Sequence, residues 1–284
     1  MDRESQPTPT QTNSLESKTA PTADDTPPHP RLKLHRAFTS CFLPVERDVI
    51  VYLPPGYDLQ PERTFPVLYM QDGQNLFDER TSYIPGRTWK MLEHADAAIE
   101  AAEVEPLIIV GVYNTGERRV AEYTPEPDSQ LGGGEADAYG RLITEELMPL
   151  IAAHYRARTE RQHTGVGGSS LGGLVSLFLG LRHPDHFGKL AVLSPSIWWN
   201  QKSILGYLNE YAPQIRERPR IWLDIGDQEG RRNVENAEQL NRRLKANGWQ
   251  PGETLHFERV PGGAHDESSW ALRVRPMLKF LFPA

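Results

Sequence analysis

Thr164-Gly165-Val166-Gly167-Gly168-Ser169-Ser170-Leu171-Gly172-Gly173 is the stretch whose reading decides the fold. Inside it, Gly168-Ser169-Ser170-Leu171-Gly172 matches G-x-S-x-G, in which a strand turns sharply into a helix and the corner serine is lifted above the sheet. The corner residue takes a strained backbone conformation. Glycines two positions to either side let neighbouring backbone come close. By that logic Ser170 is the raised residue and Ser169 its strand-side neighbour. A flexible Gly-Ser loop would carry the same letters, so the flanking chain has to carry the reading.

Outward from this corner, strands and helices alternate. His163–Ser169 reads as the entering strand, and Leu171–Leu181 as the leaving helix, with Leu174, Leu177, Phe178 and Leu181 on its apolar face. Upstream, Phe65–Met70 and Leu107–Val112 are short apolar runs suited to strands buried on both faces. Trp89–Ala102 and the series Tyr139, Leu142, Ile143, Leu147, Leu150, Ile151 have helical spacing. Downstream, Lys189–Leu193, Arg220–Ile225 and Leu255–Val260 read as strands, and Arg232–Ala246 and Trp270–Leu281 as helices. Leu32–Phe38 and Arg47–Leu53 alternate apolar and polar residues, the pattern of neighbouring antiparallel strands. Residues 114–135, rich in Gly, Pro and mixed charge, form a long loop of the kind that often serves function. The expected fold class is therefore α/β: a mostly parallel central sheet, helices on both faces, and antiparallel N-terminal strands. Ser170 then falls at a strand's C-terminal end, where open α/β sheets place ligands.

Composition narrows the partners. The chain has 284 residues, 38% of them hydrophobic, with a formal net charge of −7. That charge argues against nucleic acid or an anionic membrane as the main partner. No run approaches the ~20 apolar residues that span a bilayer. The single cysteine, Cys41, excludes an internal disulfide and a Cys-based metal cluster. Residues 1–30 hold almost no large apolar side chains and read as a disordered tail, with residues 31–284 as the folded domain. The tail has neither the basic start nor the apolar run of a secretory signal, and its acids argue against a transit peptide. The expected location is cytoplasmic.

A serine hydroxyl needs a base, and the base needs an orienting carboxylate. For this motif the chain order is Ser, then acid, then His. Of the histidines after Ser170, His183 and His186 fall in a turn past the elbow helix, and His256 inside a strand. His265, in Pro261-Gly262-Gly263-Ala264-His265-Asp266, follows the last strand at the same sheet edge as Ser170 and is the expected base. Asp227 and Glu229, after the preceding strand, both satisfy the acid's position; Asp185, Asp266 and Glu267 are weaker candidates. Acyl transfer also needs donors for an oxyanion. The backbone N–H groups of Leu171 and of Gln74, the latter after the strand ending in Met70-Gln71-Asp72-Gly73, are in position. Gly73 is expected to permit the tight turn there.

Together these motifs resemble the α/β-hydrolase family described as "Putative esterase", which includes enterochelin-type siderophore esterases, feruloyl and acetylxylan esterases, and mycolyltransferases. The resemblance covers roughly residues 35–282. It rests on Val51–Tyr57, Tyr69–Asp78, Arg119 with Glu122-Tyr123-Thr124-Pro125, Gly168–Leu174, Ser194–Trp199, and His265 followed by Glu267 and Trp270. It implies an α/β-hydrolase fold and a serine carboxylic-ester hydrolase with Ser170 as nucleophile and His265 as base. It maps the acid to Glu229, three residues after Gly226; many relatives have Asp there, and some siderophore esterases work with a Ser-His dyad. Relatives often carry Asn where this chain has Asp266. No metal or organic cofactor is implied, and the partner is a small-molecule ester such as a siderophore or an acylated sugar. Trp198 and Trp199 have two readings, as a pocket floor or as packing for a loop. Arg119 and Glu122 suit a structural role, fixing the 114–135 loop to the pocket wall.

Three other functions compete. An acyltransferase would use the same groups. Nucleotide binding fails because Gly165-Val166-Gly167 lacks the third glycine of G-x-G-x-x-G, and no acid ends the next strand. A non-catalytic binding module on the same fold is expected to lose the nucleophile or the base, and both are present.

Overall fold

The computed structural model describes residues 27–284. Residues 1–26 of the expected tail lie outside the described residues. Its last residues belong to the folded edge, since the Leu32 N–H donates to the His29 carbonyl at 3.0 Å.

Eight strands form the main sheet: β1 (Leu32–Phe38), β2 (Arg47–Tyr52), β3 (Val67–Gln71), β4 (Ile108–Val112), β7 (Thr164–Ser169), β8 (Lys189–Leu193), β9 (Arg220–Gly226) and β10 (Leu255–Val260). Two-residue strands β5 (Pro127–Asp128) and β6 (Gly132–Gly133) pair separately, within the long loop. The sheet order is β1-β2-β4-β3-β7-β8-β9-β10. The β1–β2 and β2–β4 pairs are antiparallel; the pairs from β4 to β10 are parallel. This is the expected α/β-hydrolase architecture.

Alternation along the strands builds two cores. In β3, Val67 and Tyr69 face one side, and Leu68 and Met70 the other. The first side is covered by α3 (Ala136–Arg141), α4 (Met148–His154), α5 (Leu171–Arg182), α6 (Ile204–Tyr211) and α7 (Arg231–Ala246). The second is covered by α1 (Met91–Glu100) and α8 (Glu267–Leu281). Helices α3 and α4 are joined by a π-helical segment, Leu142–Leu147, and α2 (Arg119–Glu122) is a single turn in the long loop. Residues 171–181 of α5 are all buried, as expected for a helix at the centre of the layer. The apolar residues Ile204, Leu205 and Leu208 make α6, which the sequence reading left unassigned. Among the described residues no helix is long and apolar enough to cross a membrane.

Candidate active site

The strand-to-helix corner at Ser170 forms as the motif requires. Ser169 ends β7, and Ser170 has φ 59° and ψ −123° before α5 begins at Leu171. A non-glycine residue holds such a conformation only where its surroundings over-determine it. Here the Ser170 N–H donates to the Leu193 carbonyl at 3.1 Å, and the Ser170 carbonyl accepts from the N–H groups of Leu174 at 3.1 Å and Ser196 at 3.0 Å. At Gly168 a Cβ would lie 2.9 Å from Gln71 Cβ and 3.0 Å from Gly172 C, so that glycine is required for close packing.

His265 follows β10 and Glu229 follows β9, two neighbouring parallel strands. The imidazole Nδ1 lies 2.7 Å from Glu229 Oε2. The Glu229 side chain is almost fully buried, while that of His265 is 44% exposed and so open to a substrate. Burial pushes the Glu229 carboxyl up, but hydrogen bonds from His265, from the Ser194 hydroxyl at 2.6 Å and from the Gly226 N–H at 2.7 Å outweigh it and hold it below the ordinary range. The imidazole edge also rests on Trp270, ring centroids 5.0 Å apart. Asp227 is turned elsewhere: its Oδ1 accepts from the Gly262 N–H at 2.9 Å, bracing the loop that carries His265.

Ser170 and His265 border one cavity of about 430 Å³ at the C-terminal ends of the strands. Tyr83, Ile84, Val120 and Trp270 supply apolar wall; Asp72, Asn75, Asn114, Arg119 and Glu267 supply polar groups. Two further positions singled out from the sequence lie on elements next to β7. Leu171 opens α5, where first-turn N–H groups lack helical partners. Gln74 lies in a short 3₁₀ turn, Gly73–Asn75, directly after β3, which pairs with β7. The left-handed residue of that turn is Asp72, φ 57°, rather than Gly73. Gly73 serves close approach instead, because a Cβ there would lie 2.5 Å from the Gly111 backbone carbon of β4.

The family model described as "Putative esterase" matches residues 40–281. The chain belongs to this esterase family. Uncharacterized protein YbbA of Bacillus subtilis is 30% identical over 216 residues, 72% of this chain and 80% of that protein. Ferri-bacillibactin esterase BesA of Bacillus subtilis is 31% identical over 208 residues, 65% of this chain and 68% of that protein. Among solved structures, the BES protein from Bacillus cereus superposes with a TM-score of 0.73 at 24% identity, over 95% of this chain and 99% of that one, a likeness of fold. Family membership supports ester hydrolysis as the reaction class.

Arg119 and Glu122 of this esterase-family chain anchor the long loop, as their residue types suggested. Arg119 grips Asp72 with two hydrogen bonds of 2.7 Å, and Glu122 pairs with Arg47 of β2 at 2.8 and 3.0 Å in a fully buried contact. Asp266 caps α8, its Oδ1 accepting from the Ser269 N–H at 2.9 Å, a task Asn performs equally well. Glu267 does not orient His265; it borders the cavity, with Asn75 Nδ2 at 3.4 Å from its Oε1, and burial pushes its carboxyl up.

Trp198 and Trp199 stand apart from the cavity lining. Trp199 is 1% exposed and donates from its indole nitrogen to the Glu126 carbonyl at 2.9 Å, pinning the long loop. Trp198 is 40% exposed. A larger hollow of about 680 Å³ lies at the opposite ends of the strands, among residues such as Arg161, Arg182 and Glu217. Arg161 there pairs with Glu217 at 2.9 Å, and Arg182 with Asp137 at 3.2 Å, so their charges already face partners.

Sequence reasoning passed over Ser196, whose hydroxyl lies 3.3 Å from that of Ser170, and the trio Ser194, Asp224 and Arg273 beneath Glu229. A signal existed for the trio. Asp224 interrupts an apolar strand, and a buried charge requires a partner.

Proposed function

We propose that this chain is a serine carboxylic-ester hydrolase acting through an acyl-enzyme. The observation that carries the proposal is the 2.7 Å His265–Glu229 pair opening onto the cavity that also holds the strained Ser170. His265 takes the proton of Ser170 as the hydroxyl oxygen attacks the ester carbonyl, and Glu229 holds the imidazole in the right tautomer and stabilises the imidazolium. The N–H groups of Leu171 and Gln74 receive the developing oxyanion. His265 then hands its proton to the leaving alcohol. A water activated by the same imidazole releases the acid and restores Ser170.

A cavity of about 430 Å³ with apolar walls and a few polar groups suits a small-molecule ester rather than a polymer. The name of the relative BesA points to a siderophore ester as the first substrate class to try. Trp199 serves to pack the loop in this reading, with Trp198 outside the reacting centre. The test is hydrolysis of p-nitrophenyl acetate by the wild type and by Ser170→Ala. The substitution is expected to lower kcat/KM by roughly 10³-fold or more. Equal rates would refute the assignment.

A further inference from the structure

Beneath Glu229 lies a second carboxylate that the reaction does not touch. Asp224, inside β9, is fully buried, and Arg273 reaches it from α8 with Nη1 at 2.8 Å from Oδ1. The same Nη1 donates to the Ser194 hydroxyl at 2.8 Å, and Nη2 donates to the Ala264 carbonyl at 3.2 Å and the Ser269 hydroxyl at 3.0 Å. Glu229 receives only the longest of these contacts, 3.4 Å from Nη2 to Oε1. Its short donors besides His265 are uncharged: the Gly226 N–H at 2.7 Å and the Ser194 hydroxyl at 2.6 Å. One guanidinium therefore faces two carboxylates, and its close contact goes to the one that does not hold the base.

We propose that Asp224 and Arg273 are positioning residues for the base: Asp224 holds the Arg273 charge off Glu229, leaving the Glu229 charge to the imidazole of His265. The proposal rests on the esterase reading above. Its logic is electrostatic. Charges in a buried site are weakly screened, so a guanidinium turned wholly onto Glu229 would cancel much of the field that stabilises the imidazolium. The arrangement is held in place from several elements. Ser194, with φ 43°, is fixed by its N–H on the Asp224 carbonyl at 3.0 Å and on Oδ1 at 3.2 Å. The Trp222 indole N–H donates to Asp224 Oδ2 at 2.7 Å, and the Trp270 indole N–H to the Ser194 hydroxyl at 3.0 Å. Burial pushes the Asp224 carboxyl up to about 6, against the pull of Arg273, Trp222 and the Ser194 N–H. The charged groups facing His265 are Glu229 from the acid loop, Asp266 and Glu267 from the start of α8, Arg87 paired to Asp266 at 3.6 Å, and the Asp72–Arg119 pair across the cavity.

The experiment is the pH profile of kcat/KM for p-nitrophenyl acetate, pH 5–9, in the whole protein and in Asp224→Asn, Arg273→Met and the double variant. Asp224→Asn frees Arg273 for Glu229, and the acid limb is expected to move to lower pH by about half a unit or more. Arg273→Met removes the competing charge, and the limb is expected to move to higher pH. The double variant is expected to follow Arg273→Met, because Asp224 acts on the base only through Arg273. The low-field proton resonance of His265 Nδ1–H gives a second readout, moving upfield in Asp224→Asn alone. Should one single variant fail to fold, the direction taken by the other decides. Limbs that coincide with the wild type, or that move the same way in both single variants, overturn the proposal. A wild type that neither hydrolyses the ester nor takes a fluorophosphonate on Ser170 overturns the esterase reading itself, and this proposal with it.

Discussion

His265 Nδ1 and Glu229 Oε2 lie 2.7 Å apart although 36 residues separate them in the chain, one on each of two loops that leave neighbouring strands. Asp227, two residues before Glu229, has its carboxylate 2.9 Å from the Gly262 N–H instead. This contrast yields a direct comparison of acids. Glu229→Gln is expected to reduce kcat/KM by roughly 10²–10⁴-fold, by losing the charge and the tautomer control. Asp227→Asn is expected to cost far less, since an amide oxygen still accepts from Gly262. Steady-state kinetics on both variants checks the order, and the reverse order would make Asp227 the acid.

The same carboxylate ties stability to pH. Burial opposes the Glu229 charge, but hydrogen bonds from His265, Ser194 and Gly226 more than offset it, so its folded value lies below its unfolded one. Such a group lends stability that is complete above the unfolded value and is lost as pH falls through the folded value. The Tm advantage of wild type over Glu229→Gln is therefore expected to shrink as pH is lowered from about 5 toward about 3. A gap that widens over that range would contradict the assigned contacts.

Gly73→Ala tests why the turn after β3 carries a glycine. The added Cβ would meet the β4 backbone at 2.5 Å, and backbone cannot move aside cheaply. A loss of about 1–3 kcal/mol in unfolding free energy is expected from urea melts. A neutral outcome would show that this position does not need a glycine and would contradict the close-approach account.

The tryptophan pair separates packing from contact. Trp199→Ala empties a fully buried site and is expected to cost about 3–5 kcal/mol. Trp198→Ala, at a half-open position, is expected to cost under about 1 kcal/mol. Chemical denaturation measures both. A large KM change in folded Trp198→Ala would assign that ring to the substrate.

How far the chain could be read follows from what each residue depends on. The strands announced themselves because a sheet covered on both faces demands continuous apolar runs, as in Val67–Met70 and Ile108–Val112. The corner at Ser170 was legible because its steric demands are local and leave glycines at fixed spacing. Choosing between Asp227 and Glu229 was beyond spacing alone, because loop geometry decides which carboxylate faces the base. The role of Gly73 was misread as a turn for a similar reason: its constraint comes from Gly111 on a different strand. Arg273 was hidden because it lies on the inner face of a closing helix among apolar residues, and its partners outside that helix come from β9 and the loops after β8, β9 and β10. Long-range polar contacts leave no periodic trace in sequence.

The central claim is that Ser170 is the nucleophile. Reaction of the whole protein with a fluorophosphonate, followed by digestion and mass spectrometry, tests it most directly. The account predicts one equivalent of label on Ser170, blocked in His265→Ala and absent in Ser170→Ala, with ester hydrolysis lost in step. Label on Ser169, Ser196 or any other residue, or hydrolysis that survives full labelling, would contradict it.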